Sequence, residues 1–139
     1  MLHFGRRHAR RGLALALIGE IAAVIDGIEG FEEVRMLEDL AAGAEDHLDE
    51  LGAFTLPRFS VYESNAGRLD LFEPAIQRQI AYFFTRAGSL AAHLHALAAA
   101  KTDSIELRKQ HATDAQKEIN SVSELGDDLL RGLRKLVSN

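Results

Sequence analysis

Six histidines, several acidic pairs and four clustered arginines are the residues of this 139-residue chain whose types could do chemistry. Histidine and carboxylate side chains hold a metal when three or four of them converge. His93 and His95 are two positions apart, so on a helix they point about 200° away from each other and do not share an ion. His47 stands beside Asp46, but the Glu-x-x-His pairing of di-iron bundles is missing. His93, next to the apolar Leu94, reads as a helix-flank histidine with a hydrogen-bond partner. The carboxylates come as Glu32/Glu33, Glu38/Asp39, Glu45/Asp46, Asp49/Glu50 and Asp127/Asp128. Neighbours on a helix diverge, so these pairs read as a solvated outer face rather than a general acid–base couple. Cysteine is absent, which removes thiolate nucleophiles, thiolate metal sites and disulfides. There is no phosphate-cradling glycine loop, nucleophile elbow or His-Glu-x-x-His motif. Gly126, inside a helical pattern, reads as a packing position. No catalytic, metal or cofactor-binding residue is assigned.

Two groups remain. Arg6, Arg7, Arg10 and Arg11 give residues 1–12 a charge of +4, residues 13–50 carry −10, and the remainder carries +1, for a net charge of −5. An acidic segment behind a basic start argues against a nucleic-acid groove over most of the surface. The four arginines have two readings. They contact an anionic surface, where each basic residue is worth about 1 kcal/mol, or residues 1–11 form a frayed basic tail. The second group is aromatic: Phe54, Phe59, Tyr62, Phe72, Tyr82, Phe83 and Phe84. These rings read first as a plug, with the 52–72 connection folded over one end of a bundle. The functional reading of Phe54, Phe59, Tyr62, Phe72, Tyr82 and Phe83 is a ligand pocket with Tyr62 and Tyr82 as polar handles. Glu20, alone in an apolar stretch, either pairs with a buried arginine such as Arg78 or Arg86 or faces water.

The elements that must position these groups are helices. Apolar residues recur every three or four positions through Ile76, Ile80, Phe83, Ala87, Leu90, Leu94 and Leu97. They recur again through Ile105, Ala112, Ala115, Ile119, Val122, Gly126, Leu129, Leu133 and Leu136. Each series places one apolar stripe along a helix. Thr102, Asp103 and Ser104 break the rhythm and supply caps, so residues 73–137 predict a long antiparallel hairpin. Its very polar stretch from Glu106 to Glu118 either projects beyond the core or packs against small residues such as Ala96–Ala100. Gly12–Leu51 is also periodic, and Gly27 and Gly30 flank a discontinuity near Phe31–Val34. One helix bent near Gly30 is the favoured reading, and two hinged helices the other. Gly52 closes the region as a cap and Pro57 prevents its continuation. Ser60–Ala66 predicts a short helix capped by Ser60, with Glu63 three residues on. The run Leu13–Ile18 after the arginines imitates a signal peptide, but Glu20 and Asp26 fall where its apolar core or cleavage site belongs. No window of about 20 apolar residues exists to span a bilayer.

The stretch Leu56–Leu90, LPRFSVYESNAGRLDLFEPAIQRQIAYFFTRAGSL, resembles a segment of uncharacterised bacterial helical proteins. The shared positions are Pro57, Tyr62, Asn65, Gly67, Leu69, Leu71, Ile80 and Phe83. Those proteins often carry a membrane helix, then basic residues and a helix to which RRGLALALIGEIAAVI is similar. The resemblance implies a helical domain of no established activity beside a membrane.

The sequence thus predicts an all-α, elongated antiparallel helical bundle with a long helical hairpin, one domain over 1–139 with about four helices, one short. Rods roughly 40–50 Å long have more apolar edge than one short connection covers, so a second copy is expected to bury the rest through Leu129, Leu133 and Leu136. The function expected is a helical interaction or scaffold module, juxtamembrane and self-associating, with no catalytic activity evident. Its partners are a second copy and a membrane surface or membrane-protein neighbour, not nucleic acid. Its expected place is the cytoplasm, at the inner face of the membrane. The alternative is a small-molecule-sensing bundle that uses the aromatic pocket.

Overall fold

The computed structural model describes residues 2–30, 33–42, 54–99 and 104–138, and all of the regular structure among them is helical. The helices are α1 (Leu2–Gly30), α2 (Glu33–Ala41), α3 (Ser60–Ser64), a 3-10 helix (Ala66–Leu71), α4 (Pro74–Ala99) and α5 (Ile105–Ser138). Three are long: α1 has 29 residues, α4 has 26 and α5 has 34. At 1.5 Å per residue they extend about 43, 39 and 51 Å.

The protein is an antiparallel bundle built around α5. Arg11 of α1 reaches the carbonyl of Val137 near the end of α5, while Ile25 meets Gly126, so α1 and α5 run in opposite directions. Phe83 of α4 also meets Gly126, and His93 reaches Glu118, so α4 opposes α5 as well. The first half of α5 is covered by α2. Residues 54–72 come back along α1 and α4 in the opposite sense. Pro57 lies against Gly27, Val61 and Tyr62 against Glu20, and Asp70 against Arg6. The path is up, down, up, down, with the second rod broken into a strap. Pro57, without an N–H, and the Asn65-Ala66-Gly67 turn account for the break.

The apolar stripes make the core. Leu17, Ile21, Val24 and Ile28 of α1 and Leu37 and Leu40 of α2 are buried against Ala112, Ala115, Ile119, Val122, Leu129 and Leu133 of α5. From α4 come Ile80, Phe83, Ala87, Leu90, Leu94 and Leu97. Gly126 sits where three helices meet. A Cβ there would lie 2.5 Å from Ile25 Cδ1 and 2.9 Å from both Ile25 Cγ1 and Phe83 Cε1. Only a glycine lets these side chains approach the α5 backbone.

Several expectations are corrected. Of the helix expected over 12–51 the described parts are α1, up to Gly30, and α2, from Glu33 to Ala41, and the junction at 31–32 lies outside the described residues. Residues 2–11 are not a frayed tail, because α1 is helical from Leu2. The polar start of α5 does not project: Arg108 is only 7% exposed, and α2 packs on this half of the helix. The oligomer contacts proposed at Leu129 and Leu133 are consumed within the chain, at 1% and 0% exposure, and Leu136 is half-buried. Their edge is covered by α1, which runs against this end of α5 and which the hairpin argument left out. Phe31, Glu32, Gly43–Ala53, Ala100–Asp103 and the side chains of Glu33 and Val34 lie outside the described residues. With them lie the expectations for His47, Gly52, the pairs Glu32/Glu33, Glu45/Asp46 and Asp49/Glu50, and the Thr102 and Asp103 caps. Ser104 does cap α5, its hydroxyl accepting the Leu107 N–H at 3.2 Å.

Glycine packing sets a test. Gly126→Ala should destabilise the fold by about 1–2 kcal/mol, because overpacking outweighs the gain of roughly 1 kcal/mol in helix propensity. Gly19→Ala, with nothing within 4 Å of the new Cβ, should stabilise by about 0.5–1 kcal/mol. Urea unfolding followed by circular dichroism measures both, and equal signs would refute the close approach at Gly126.

Candidate functional site

Glu20 decides how the aromatic strap is held. Its carboxylate accepts the Val61 N–H at 2.9 Å and the Tyr62 N–H at 2.8 Å. The first turn of a helix has free N–H groups that need acceptors. The residue preceding α3, Phe59, supplies no side-chain cap. The carboxylate from α1 takes that role instead of Ser60, and it satisfies two donors with charge-assisted bonds. Glu20 therefore pairs with neither Arg78 nor Arg86. Arg86 lies over the Tyr82 ring, 5.7 Å from its centroid, and is 3.4 Å from Ser121 Oγ.

Capping at this point lays the rings into the groove between α1 and α4. Tyr62 stacks on Phe84 with centroids 4.5 Å apart, and Phe59 meets the same ring edge-on at 5.1 Å. Phe54, Phe72, Phe83 and Phe84 are buried, and Tyr82 faces outward, 51% exposed. The six rings expected around a pocket are thus mostly packing groups, but they lie along the α1–α4 groove and not over one end of the bundle, as the plug reading had it. A shallow cleft of about 340 Å³ does lie between strap and α4, but of the six only Phe59 lines it, beside Leu56, Pro57, Gly88, Ala91 and His95. His95 Nε2 donates to the Phe54 carbonyl at 2.6 Å, and His93 Nδ1 lies 2.5 Å from Glu118 Oε2. The two histidines serve different neighbours, as their spacing requires.

The basic residues assemble at the opposite end of the strap. The first turns of α1, the last turns of α5 and the start of α4 meet there. Arg6 donates to the Asp70 carbonyl at 2.7 Å, which ties the end of the 3-10 helix to α1. Arg11 donates to the Val137 carbonyl. A cation at a helix C-terminus satisfies a carbonyl that lacks an intrahelical partner and complements the helix dipole. Arg7 is exposed and Arg10 half-buried, and neither has an ion-pair or hydrogen-bond partner among the described residues. The Nε of Arg10 is shut off from solvent with no acceptor.

Arg10 also separates two clefts. One, of about 230 Å³, is lined by Arg7, Arg10, Arg11 and Leu136. The other, of about 300 Å³, adds Glu73, Ile76, Gly132 and Lys135 to Arg10 and Leu136. The four arginines named from the sequence are therefore brought together, two as structural ties and two as unpaired cations. Sequence reasoning missed Glu73, Ile76 and Lys135. Lys135 falls in the last turn of α5, where a basic residue is favoured in any helix, so nothing local marked it as Arg10's neighbour. At the far end of the α1–α2 rod the charge reverses, with Asp26, Glu29, Glu38 and Asp39.

No protein-family model, curated protein or solved structure matches the chain. Among the described residues no helix is long and apolar enough to cross a membrane.

The strap gives a direct test of the Glu20 contact. Glu20→Ala leaves two N–H groups without acceptors and should weaken strap docking by about 2 kcal/mol. When opening and closing outrun cleavage, proteolysis follows the open population. Trypsin cleavage after the exposed Arg58 should then speed up roughly 30-fold. An unchanged rate at that bond would show that the strap is held by its rings alone.

Proposed function

We propose that this chain is a helical interaction module, not an enzyme, that seats its basic end on an anionic membrane surface. The observation that carries the reading is the pair Arg7 and Arg10, cations without acidic partners among the described residues at the same end as Arg11 and Lys135. Folded proteins usually neutralise or hydrate such groups, and a cluster of them forms an electrostatic footprint for an anionic partner. The geometry favours a flat surface met end-on. A long polyanion laid along the rod would also meet Asp26, Glu29, Glu38 and Asp39. The resemblance of Leu56–Leu90 to bacterial helical proteins beside membranes supports the same reading, and the proposed location is the inner face, where anionic lipid and basic residues meet.

The attraction is modest. At about 1 kcal/mol per basic residue, four arginines give a partition constant on the order of 10³ M⁻¹. This suits a module that orients itself on a surface or on a membrane-protein neighbour, rather than one anchored by charge alone.

Co-sedimentation with vesicles at millimolar lipid tests the reading. The protein should bind vesicles containing phosphatidylglycerol and not pure phosphatidylcholine, and 1 M salt should abolish binding, since screening shortens to about 3 Å there. Arg7→Gln should lower the partition about fivefold. Equal binding to neutral vesicles, or binding to duplex DNA in preference to vesicles, would overturn the reading.

A further inference from the structure

Arg7 and Arg10 line one cleft without an ion-pair partner among the described residues, and the residues around them say which kind of anion fits. We infer that the cleft formed by Arg7, Arg10, Arg11 and Leu136 is a binding site for a single phosphoryl group. The inference rests on the anionic-surface reading above and names the chemistry that surface presents.

Three observations converge. Arg10 lines both clefts, and its Nε is buried without a partner. A guanidinium offers N–H groups in a rigid fork that matches two oxygens of a phosphate, so one anion entering the first cleft neutralises the unpaired charge of Arg7 and Arg10. Arg11 is already fixed by its bond to the Val137 carbonyl, so part of the site is ordered before any ligand arrives. The volumes are about 230 and 300 Å³, at or below the small end of ligand pockets, a headgroup's scale rather than a large cofactor's.

The second cleft limits the ligand. Glu73 lies there beside Lys135, so a second anionic group is disfavoured and a neutral, hydroxyl-bearing remainder fits. Leu136 and Ile76 add apolar wall. The shared chemistry is therefore a phosphoryl group on a short hydroxylated stem, which a lipid headgroup or a free phosphate ester can supply.

The test uses the full chain and two arms. In the vesicle arm, phosphatidylglycerol and oleate are compared in phosphatidylcholine at equal surface charge. In the soluble arm, glycerol 3-phosphate, inorganic phosphate and sulfate are titrated at constant ionic strength, with the Arg10 Nε–H followed by NMR. The site predicts at least about tenfold tighter binding to phosphatidylglycerol than to oleate. Arg10→Lys should keep the oleate affinity and lose that preference, since a lysine is a point charge without the fork. Arg58→Gln, on the strap, should behave as the unsubstituted protein, and circular dichroism confirms that each variant is folded. A shift of the Arg10 signal by glycerol 3-phosphate without any vesicle binding would uphold the site, assign it to a free phosphate ester and overturn the surface reading. Equal binding to phosphatidylglycerol and oleate, unaffected by Arg10→Lys, would overturn the site and leave the surface reading standing. No binding in either arm would overturn both.

Discussion

Everything else in this protein is arranged around the need to cover one long apolar stripe on α5. A helix of 34 residues presents that stripe over roughly 50 Å. The α1–α2 rod and α4 both lie against it, and they converge at Gly126, where Ile25 and Phe83 press onto the α5 backbone. Burial of Leu, Ile and Phe side chains along this seam, at about 1.5–3 kcal/mol each, is the main source of stability. Two rods on one helix leave a wedge between themselves on the outer side. The aromatic residues of the strap fill it, because large flat rings cover an irregular groove where another regular helix is interrupted by Pro57.

That wedge explains the role of Glu20. A helix of five residues such as α3 has no stability of its own. It persists because a carboxylate from α1 fills the place of its missing cap and because Tyr62 and Phe59 pack on Phe84. The rings are thereby committed to packing, and the space left beside them is a shallow cleft rather than an aromatic chamber. An acidic residue in an apolar stretch of α1 is tolerated because two N–H donors come to it.

Charge follows the same tertiary logic. The carbonyls at the end of α5 need donors, and Arg11 supplies one; the end of the 3-10 helix receives Arg6. Arg7 and Arg10 exceed what these ends require. Their surplus charge, opposite in sign to the carboxylates of the far end, makes the rod electrostatically polar along its length. The functional proposal grows from that asymmetry.

The helices were legible in the sequence because their signal is local. Stripe residues repeat at the helical period whatever they pack against; those from Ile80 to Leu97 and from Ala112 to Leu133 are buried, while Ile76 and Leu136 are half-buried and Ile105 is exposed. The all-α class, the long hairpin and the packing role of Gly126 follow from such patterns, and the four arginines stood out by number alone. What covers what was not legible. Leu129 and Leu133 looked free for a second copy, and only the folded chain shows α1 taking that edge. Glu20 could have faced water or an arginine, since nothing in its neighbourhood announces two N–H groups 41 and 42 residues away. Lys135 and Glu73 join Arg10 only because antiparallel rods bring opposite ends of the chain together. Periodicity is written within a few turns of one helix. The choice of partner depends on which of several similar apolar faces buries most surface at once, and only the whole packed chain decides it.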